Sequence, residues 1–206
     1  MSFNRLVLRL CVALVFILQA FCTQNPIETT ESKNERGQLE RWQRRKDTHV
    51  KEGLYQRFSP EGALLEEAHY LADSLEGERK YFFPNGKIES VERYQNNKIT
   101  GKYQAFYEDG QLKIEQDYVN GALNGLSIRY YPNGKVMEKV MLKDNIENGP
   151  FSEYHENGNL KTEGNYAPNE EGDGLEDGEM KEYDESGQLV RIADCKDGMC
   201  LTRWKK

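Results

Sequence analysis

The sequence predicts an all-β protein, an elongated single-layer antiparallel meander of tandem β-hairpins. Three observations carry that expectation. First, Gly53, Gly77, Gly101, Gly125 and Gly149 recur at intervals of 24 residues, with Gly178 following after 29. Second, nine residues after each of these stands another glycine: Gly62, Gly86, Gly110, Gly134, Gly158 and Gly187. Third, apolar residues recur at fixed places between them. Counting each leading glycine as position 0, position 5 is always aromatic (Phe58, Phe82, Phe106, Tyr130, Tyr154, Tyr183) and position 11 always aliphatic (Leu64, Ile88, Leu112, Val136, Leu160, Leu189). Position 17 is Tyr70, Tyr94, Tyr118, Leu142, Tyr166 and finally Cys195. Self-similarity at a fixed period is the signature of a repeat architecture.

The chain divides in order. In residues 1–22, Arg5 and Arg9 precede the apolar run Leu10–Phe21, which reads as a helical export signal. The run is shorter than the roughly 20 apolar residues of a membrane span. Ala20 and Cys22 place small residues at −3 and −1 of a cut after Cys22. A cut before Cys22 would instead leave a cysteine able to carry lipid ahead of the polar tail TQNPIETTESKNERG, although Phe21 is bulky for that signal. Residues 23–36 read as a polar linker. Residues 37–52 read as a partial capping repeat, because Gly37-Gln38-Leu39 repeats the pattern of Gly110-Gln111-Leu112. Residues 53–206 hold the six repeats, with an acidic insertion near 167–177.

Within a repeat, KYQAFY and QLKIEQDY are each of strand length, joined by EDG. The equivalent joints are Pro-Glu-Gly, Pro-Asn-Gly, Glu-Asn-Gly and Glu-Ser-Gly. A three-residue hairpin loop needs positive φ at its last residue, which glycine adopts without steric cost. Positions 5, 11 and 17 share parity, so period-two geometry predicts all three on one side of the sheet, stacked into ladders. Position 13 is mostly polar (Glu66, Ser90, Ile114, Glu138, Thr162, Arg191), which predicts a narrow core band. An isolated hairpin is marginal in water, so the repeats must share stability with their neighbours.

Net charge is −7, moving to −9 without residues 1–22, which remove two arginines and no acidic residue. That balance speaks against nucleic-acid partners. The one basic run, Arg41-Trp42-Gln43-Arg44-Arg45-Lys46, reads as a solvated strand. Beyond Cys11 and Cys22, only Cys195 and Cys200 remain, in CKDGMC, where Asp-Gly turns a hairpin and an oxidising compartment favours a disulfide. Four residues separate them, so the pair is not a CxxC redox motif, and no second Cys or His pair completes a zinc site. HExxH, GxSxG and P-loop signatures are absent, and His49, His69 and His155 fall at different phases of the repeat, with His155 read as a surface strand residue. No catalytic, metal or cofactor site is expected. The insertion carries Glu170, Glu171, Asp173, Glu176, Asp177 and Glu179 without EF-hand spacing, and reads as a solvated loop positioned to make contacts.

Tandem units of the form F/Y…Y-x-[DEN]-G-x-L…Y…G, seen in YYPNGKVMEKVMLKDNIENG and YHENGNLKTEGNY, resemble MORN-type repeats. They resemble more closely the bacterial variant found in proteins labelled as antitoxins of the YwqK type. The resemblance covers about residues 53–190, with a weaker edge at 37–52. It implies a single-layer twisted antiparallel sheet that contacts protein or membrane rather than performing chemistry. The expected role is therefore a non-catalytic, exported binding protein, periplasmic or extracellular, with an unknown protein or envelope partner and no nucleic acid. Membrane attachment is expected only through a lipid at Cys22. Neutralisation of a toxin, as an antitoxin-like or immunity-like protein, is the alternative. Phe83, Tyr107 and Tyr131 align at position 6, on the face opposite the ladder, and form the candidate binding face. Tyr55, Tyr103 and Phe151 align at position 2, interrupted by Arg79 and Ser127.

Overall fold

The computed structural model describes residues 26–206. The helical export signal expected over residues 1–22 and the candidate lipidation site Cys22 lie outside the described residues. Those described form one antiparallel sheet of nineteen strands and no helix: β1 (Ile27–Lys33), β2 (Leu39–Arg45), β3 (Lys51–Phe58), β4 (Leu64–Leu71), β5 (Ser74–Leu75), β6 (Gly77–Phe82), β7 (Ile88–Gln95), β8 (Lys98–Ile99), β9 (Gly101–Phe106), β10 (Leu112–Val119), β11 (Ala122–Leu123), β12 (Gly125–Tyr130), β13 (Val136–Lys143), β14 (Ile146–Tyr154), β15 (Leu160–Pro168), β16 (Gly174–Glu176), β17 (Gly178–Tyr183), β18 (Leu189–Lys196) and β19 (Met199–Lys205). Successive strands pair in order, with short β5, β8, β11 and β16 running on into β6, β9, β12 and β17 and each such couple pairing with the one strand before it, so the described chain is a meander throughout.

Two kinds of turn alternate along the two margins of the ribbon. On one, the Ser59 N–H donates to the Ala63 carbonyl (2.8 Å) and the Gly62 N–H to the Ser59 carbonyl (3.0 Å), with Gly62 at φ +94°. This is the three-residue loop the glycine spacing predicts. The other margin holds two-residue hairpin turns. Both central residues have positive φ: Ala72 (50°) and Asp73 (63°), Asn96 (50°) and Asn97 (62°), Asp144 (52°) and Asn145 (71°). These primed turns match strand twist and favour Asn, Asp and Gly. The leading glycines lie just after them; Gly77, for example, has φ +80° where the two-residue β5 passes into β6.

A register shift recurs beside the first turn of every repeat. Arg57 pairs with Glu66 but Phe58 pairs with Leu64, so Leu65 is an extra residue, a β-bulge. Equivalent shifts precede Phe82, Tyr130, Tyr154 and Tyr183. One added residue exchanges the two faces for all that follows. The expected single-sided ladder is therefore split: positions 5 and 11 share one face, and position 17 turns to the other. There it meets position 2, with Tyr55–Tyr70 ring centroids 5.9 Å apart, Tyr103–Tyr118 6.2 Å and Phe151–Tyr166 4.4 Å.

The core sits on this second, tyrosine face. The buried residues are Tyr55, Ala68, Leu75, Val140, Phe151, Ala193 and Cys195 with Glu66, Ser90 and Ser127, and the strand registers place all of them there. Position 13 is thus not a polar margin: Glu66 and Ser90 are buried. Glu66 accepts from Arg57 of its own repeat (2.8 Å) and from Arg79 of the next (2.7 Å), which compensates its burial across a repeat boundary.

The amino-terminal end departs from the expected divisions, and the carboxy-terminal clamp matches them. Residues 27–33, expected within a polar linker, form β1 and pair along their whole length with β2. The turn between them repeats the first-margin geometry, with Asn34 N–H to Gln38 carbonyl at 3.0 Å. The cap is therefore a complete hairpin beginning at Ile27, not a half unit beginning at Gly37. The acidic insertion is not a projecting irregular loop. It lengthens a hairpin, with Tyr166 facing Glu176, Ala167 facing Leu175 and Pro168 facing Gly174, closed by a turn in which Asn169 Oδ1 accepts the Glu171 and Asp173 N–H groups. At the far end Cys195 and Cys200 face each other across β18 and β19 and are joined by a disulfide.

Two outcomes follow. Ala72 is the one alanine in a left-handed turn position, so Ala72→Asn stabilises the protein by about 1 kcal/mol in urea unfolding. Burial, foremost, pushes the Tyr55, Tyr81 and Tyr166 phenols up to about 12, above the ordinary value near 10. The unfolded chain then loses these protons first, so their stability contribution is complete below about pH 10 and is lost as pH rises toward 12. Thermal unfolding followed against pH should show a midpoint falling across that window.

Candidate binding surface

With one layer of sheet, neither face is covered by other described elements. The two faces differ in kind. The tyrosine face carries the buried residues but is irregular along its length: position 2 reads Tyr55, Arg79, Tyr103, Ser127, Phe151 and Met180. On the ladder face, regularity is complete and burial only partial. The aromatic row from Phe58 to Tyr183 and its aliphatic partners from Leu64 to Leu189 are register neighbours in each repeat, and every one is partly exposed. This double row is a continuous apolar stripe running the length of the six repeats. Charged groups lie beside it: Arg41 sits 5.2 Å over the Phe58 ring, Lys139 5.8 Å over Tyr154, and the Tyr183 hydroxyl donates to Glu163 at 2.7 Å. That last bond, ahead of burial, holds the Tyr183 phenol above its ordinary value. An apolar stripe edged by charge on an open sheet suits contact with another macromolecule.

Phe83, Tyr107 and Tyr131, expected on the strand face opposite the ladder, are not on a strand face. They stand in the first-margin turns, where each backbone N–H closes the loop. The Tyr107 hydroxyl donates to the Tyr130 carbonyl and the Tyr131 hydroxyl to the Tyr154 carbonyl, both at 2.7 Å. The His155 ring Nε2 lies 2.9 Å from the Tyr183 carbonyl in the same relation, so this histidine too joins repeats rather than lining a strand surface. At position 6, Tyr107, Tyr131 and His155 are thus staples between one repeat and the next. Asn85 and Asn133 reach the Glu108 and Glu156 carbonyls, and Lys87 and Lys135 reach those of Asp109 and Asn157.

The second margin is stapled as well. The Asn97 N–H donates to the Leu75 carbonyl (3.1 Å) while its Oδ1 accepts the Leu75 N–H (2.7 Å), and Asn145 treats Leu123 likewise. The Asx side chain thereby continues strand pairing where the backbone has already turned. These pairs have a sequence signal, Asp73, Asn97 and Asn145 each four residues before a leading glycine, which the glycine count passes over.

Two shallow clefts flank the cap, one of about 470 Å³ on the tyrosine face beside Tyr55, Arg57 and Glu66, the other of about 370 Å³ beside Leu39, Arg41 and Phe58. Among the described residues no group of three or more His, Cys, Asp or Glu side chains is arranged to hold a metal. Of the acidic residues in and beside the insertion, Asp177 pairs with Lys196, and Glu179 with Lys181 and Arg203.

A family model described as a MORN repeat variant matches residues 51–72, 75–96, 99–120, 123–144, 147–167 and 176–195. The first four stretches each end on the first residue of a primed turn and the following stretch resumes after it, so the turn is the natural boundary of the unit. No curated protein matches the chain.

Removing one staple has a defined cost. Tyr131→Phe deletes the bond to the Tyr154 carbonyl and should lower stability by about 0.5–1.5 kcal/mol in urea unfolding, with the far-ultraviolet spectrum unchanged.

Proposed function

The chain belongs to the MORN repeat variant family, and on that premise we propose that it is a non-catalytic repeat scaffold that binds a protein or envelope partner along its ladder face. The observation that carries this reading is the regular, partly exposed aromatic and aliphatic stripe on a face with no covering layer. Repeat proteins use such extended surfaces for recognition, because each unit adds one more contact of the same kind. The proposed place of action is outside the cytoplasm, supported by Arg5, Arg9 and the apolar run to Phe21. Mass spectrometry of the mature N-terminus separates a free chain beginning at Thr23 from one tethered by a lipid-modified Cys22.

Capture from an envelope fraction, with bound material identified, tests the reading. Ile128 and Val91 lie beside the stripe on the ladder face. Ile128→Glu and Val91→Glu should abolish capture while cooperative unfolding is retained, and Arg129→Glu on the other face should leave it intact. Capture indifferent to both ladder-face changes overturns the proposal. Identification of the captured partner as a toxin would assign the neutralising role implied by resemblance to YwqK-type antitoxins.

A further inference from the structure

Position −2 of the repeat, two residues before the leading glycine, is Lys51, Leu75, Ile99, Leu123, Glu147 and Glu176. In the second repeat its job is plain: Leu75 is buried against Tyr55 and Ala68, with Tyr70 and Tyr94 packed around them. Lys51 occupies the same place in the first repeat and its backbone is held the same way, its N–H donating to Asp73 Oδ1 (2.7 Å) and its carbonyl accepting the Asp73 N–H (3.0 Å). Its side chain differs. The ammonium lies over three rings at once, 5.0 Å from Tyr70, 5.3 Å from Tyr55 and 5.8 Å from Trp42. Trp42 comes from the cap strand β2 and faces Tyr55 in register. The third wall therefore exists only where the cap meets the first repeat.

We propose that Trp42, Tyr55 and Tyr70 form an ammonium-binding cage, filled here by the chain's own Lys51, whose ligand class is a small alkylated ammonium cation. Each ring presents a negative face to a cation, and several rings around one site select a soft, weakly hydrated ammonium over a neutral group of the same shape. Burial foremost raises the phenols of both Tyr55 and Tyr70, with Glu66 and Glu40 acting in the same direction and Arg57 (on Tyr55) and Arg79 (on Tyr70) against it. Trp42, Tyr70 and Lys51 are all partly exposed, on a face without a second layer, so the site opens to solvent. Lys51 is a tethered competitor. Its local concentration at the rings is set by the side-chain stem, and an external cation must displace it. This proposal stands apart from the ladder-face function, since the cage lies on the opposite side of the sheet.

The test titrates the full chain with tetramethylammonium, following Trp42 fluorescence and the Lys51 ε-methylene resonance. In the wild type, that resonance should start at a ring-shifted position and move to the free-lysine value as the cation is added. Lys51→Ala should bind at least tenfold more tightly than wild type, and Lys51→Ala combined with Trp42→Ala should lose the gain. Lys51→Leu, which restores the side chain of the second repeat, should fold and not bind. A Lys51 resonance that never moves, together with a Lys51→Ala chain that binds no better than wild type, overturns the cage. So does equal binding of 3,3-dimethylbutan-1-ol, a neutral analogue of choline, which would mark an apolar cleft rather than a cation site.

Discussion

Hydrogen bonding between consecutive repeats at the two margins carries the architecture. A sheet with a second layer buries apolar area on the scale of a globular core; here, among the described residues, the buried set is ten residues, three of them polar, and no large side chain is fully buried. Backbone pairing joins strands in their middles but stops where the chain turns. At those points Tyr107, Tyr131 and His155 on one side, and Asp73, Asn97 and Asn145 on the other, extend the bonding past the last paired residue. The side chains finish what the backbone cannot, and the donors and acceptors of one turn are met by the next.

The bulge acts on this frame to separate two tasks. Without it, the aromatics of positions 5 and 17 would crowd one face and leave position 2 without its tyrosine partners on the other. With it, position 17 joins position 2 to make a buried face whose members vary, and positions 5 and 11 make an opposite face whose members hardly vary. Variation is tolerated where packing is mutual: Arg79 stands where neighbours have tyrosine because Glu66 and the Tyr81 ring, 4.7 Å away, accept its guanidinium.

The period, the hairpins and the absence of helix in residues 26–206 were legible from glycines 24 residues apart, because glycine marks positions where φ must be positive. The faces were not legible. A bulge at Leu65 or Met137 is made by ordinary residues, and parity counted through it gives the wrong side for all that follows. Nor was β1, whose residues IETTESK are too polar to announce a strand and are held by backbone pairing and by Glu28–Arg44 and Glu31–Arg41 bridges. Tyr107 and Tyr131 read as exposed aromatics since nothing in one chain order tells that a phenol will meet a carbonyl 23 residues on.

The meander leaves β1 and β19 at opposite extremes of the sheet, each bonded on one side only. Tension applied between the two chain ends then loads outermost strand pairs one at a time, in peeling rather than in shear, so each hairpin lengthens the chain by its own contour before the next is stressed. The Cys195–Cys200 link closes the β18–β19 hairpin beside its turn, so peeling of Leu201–Lys205 halts at a covalent stop, while from the amino-terminal side the described strands give way in steps of one hairpin, the behaviour of a spring with graded give rather than of a rigid strut.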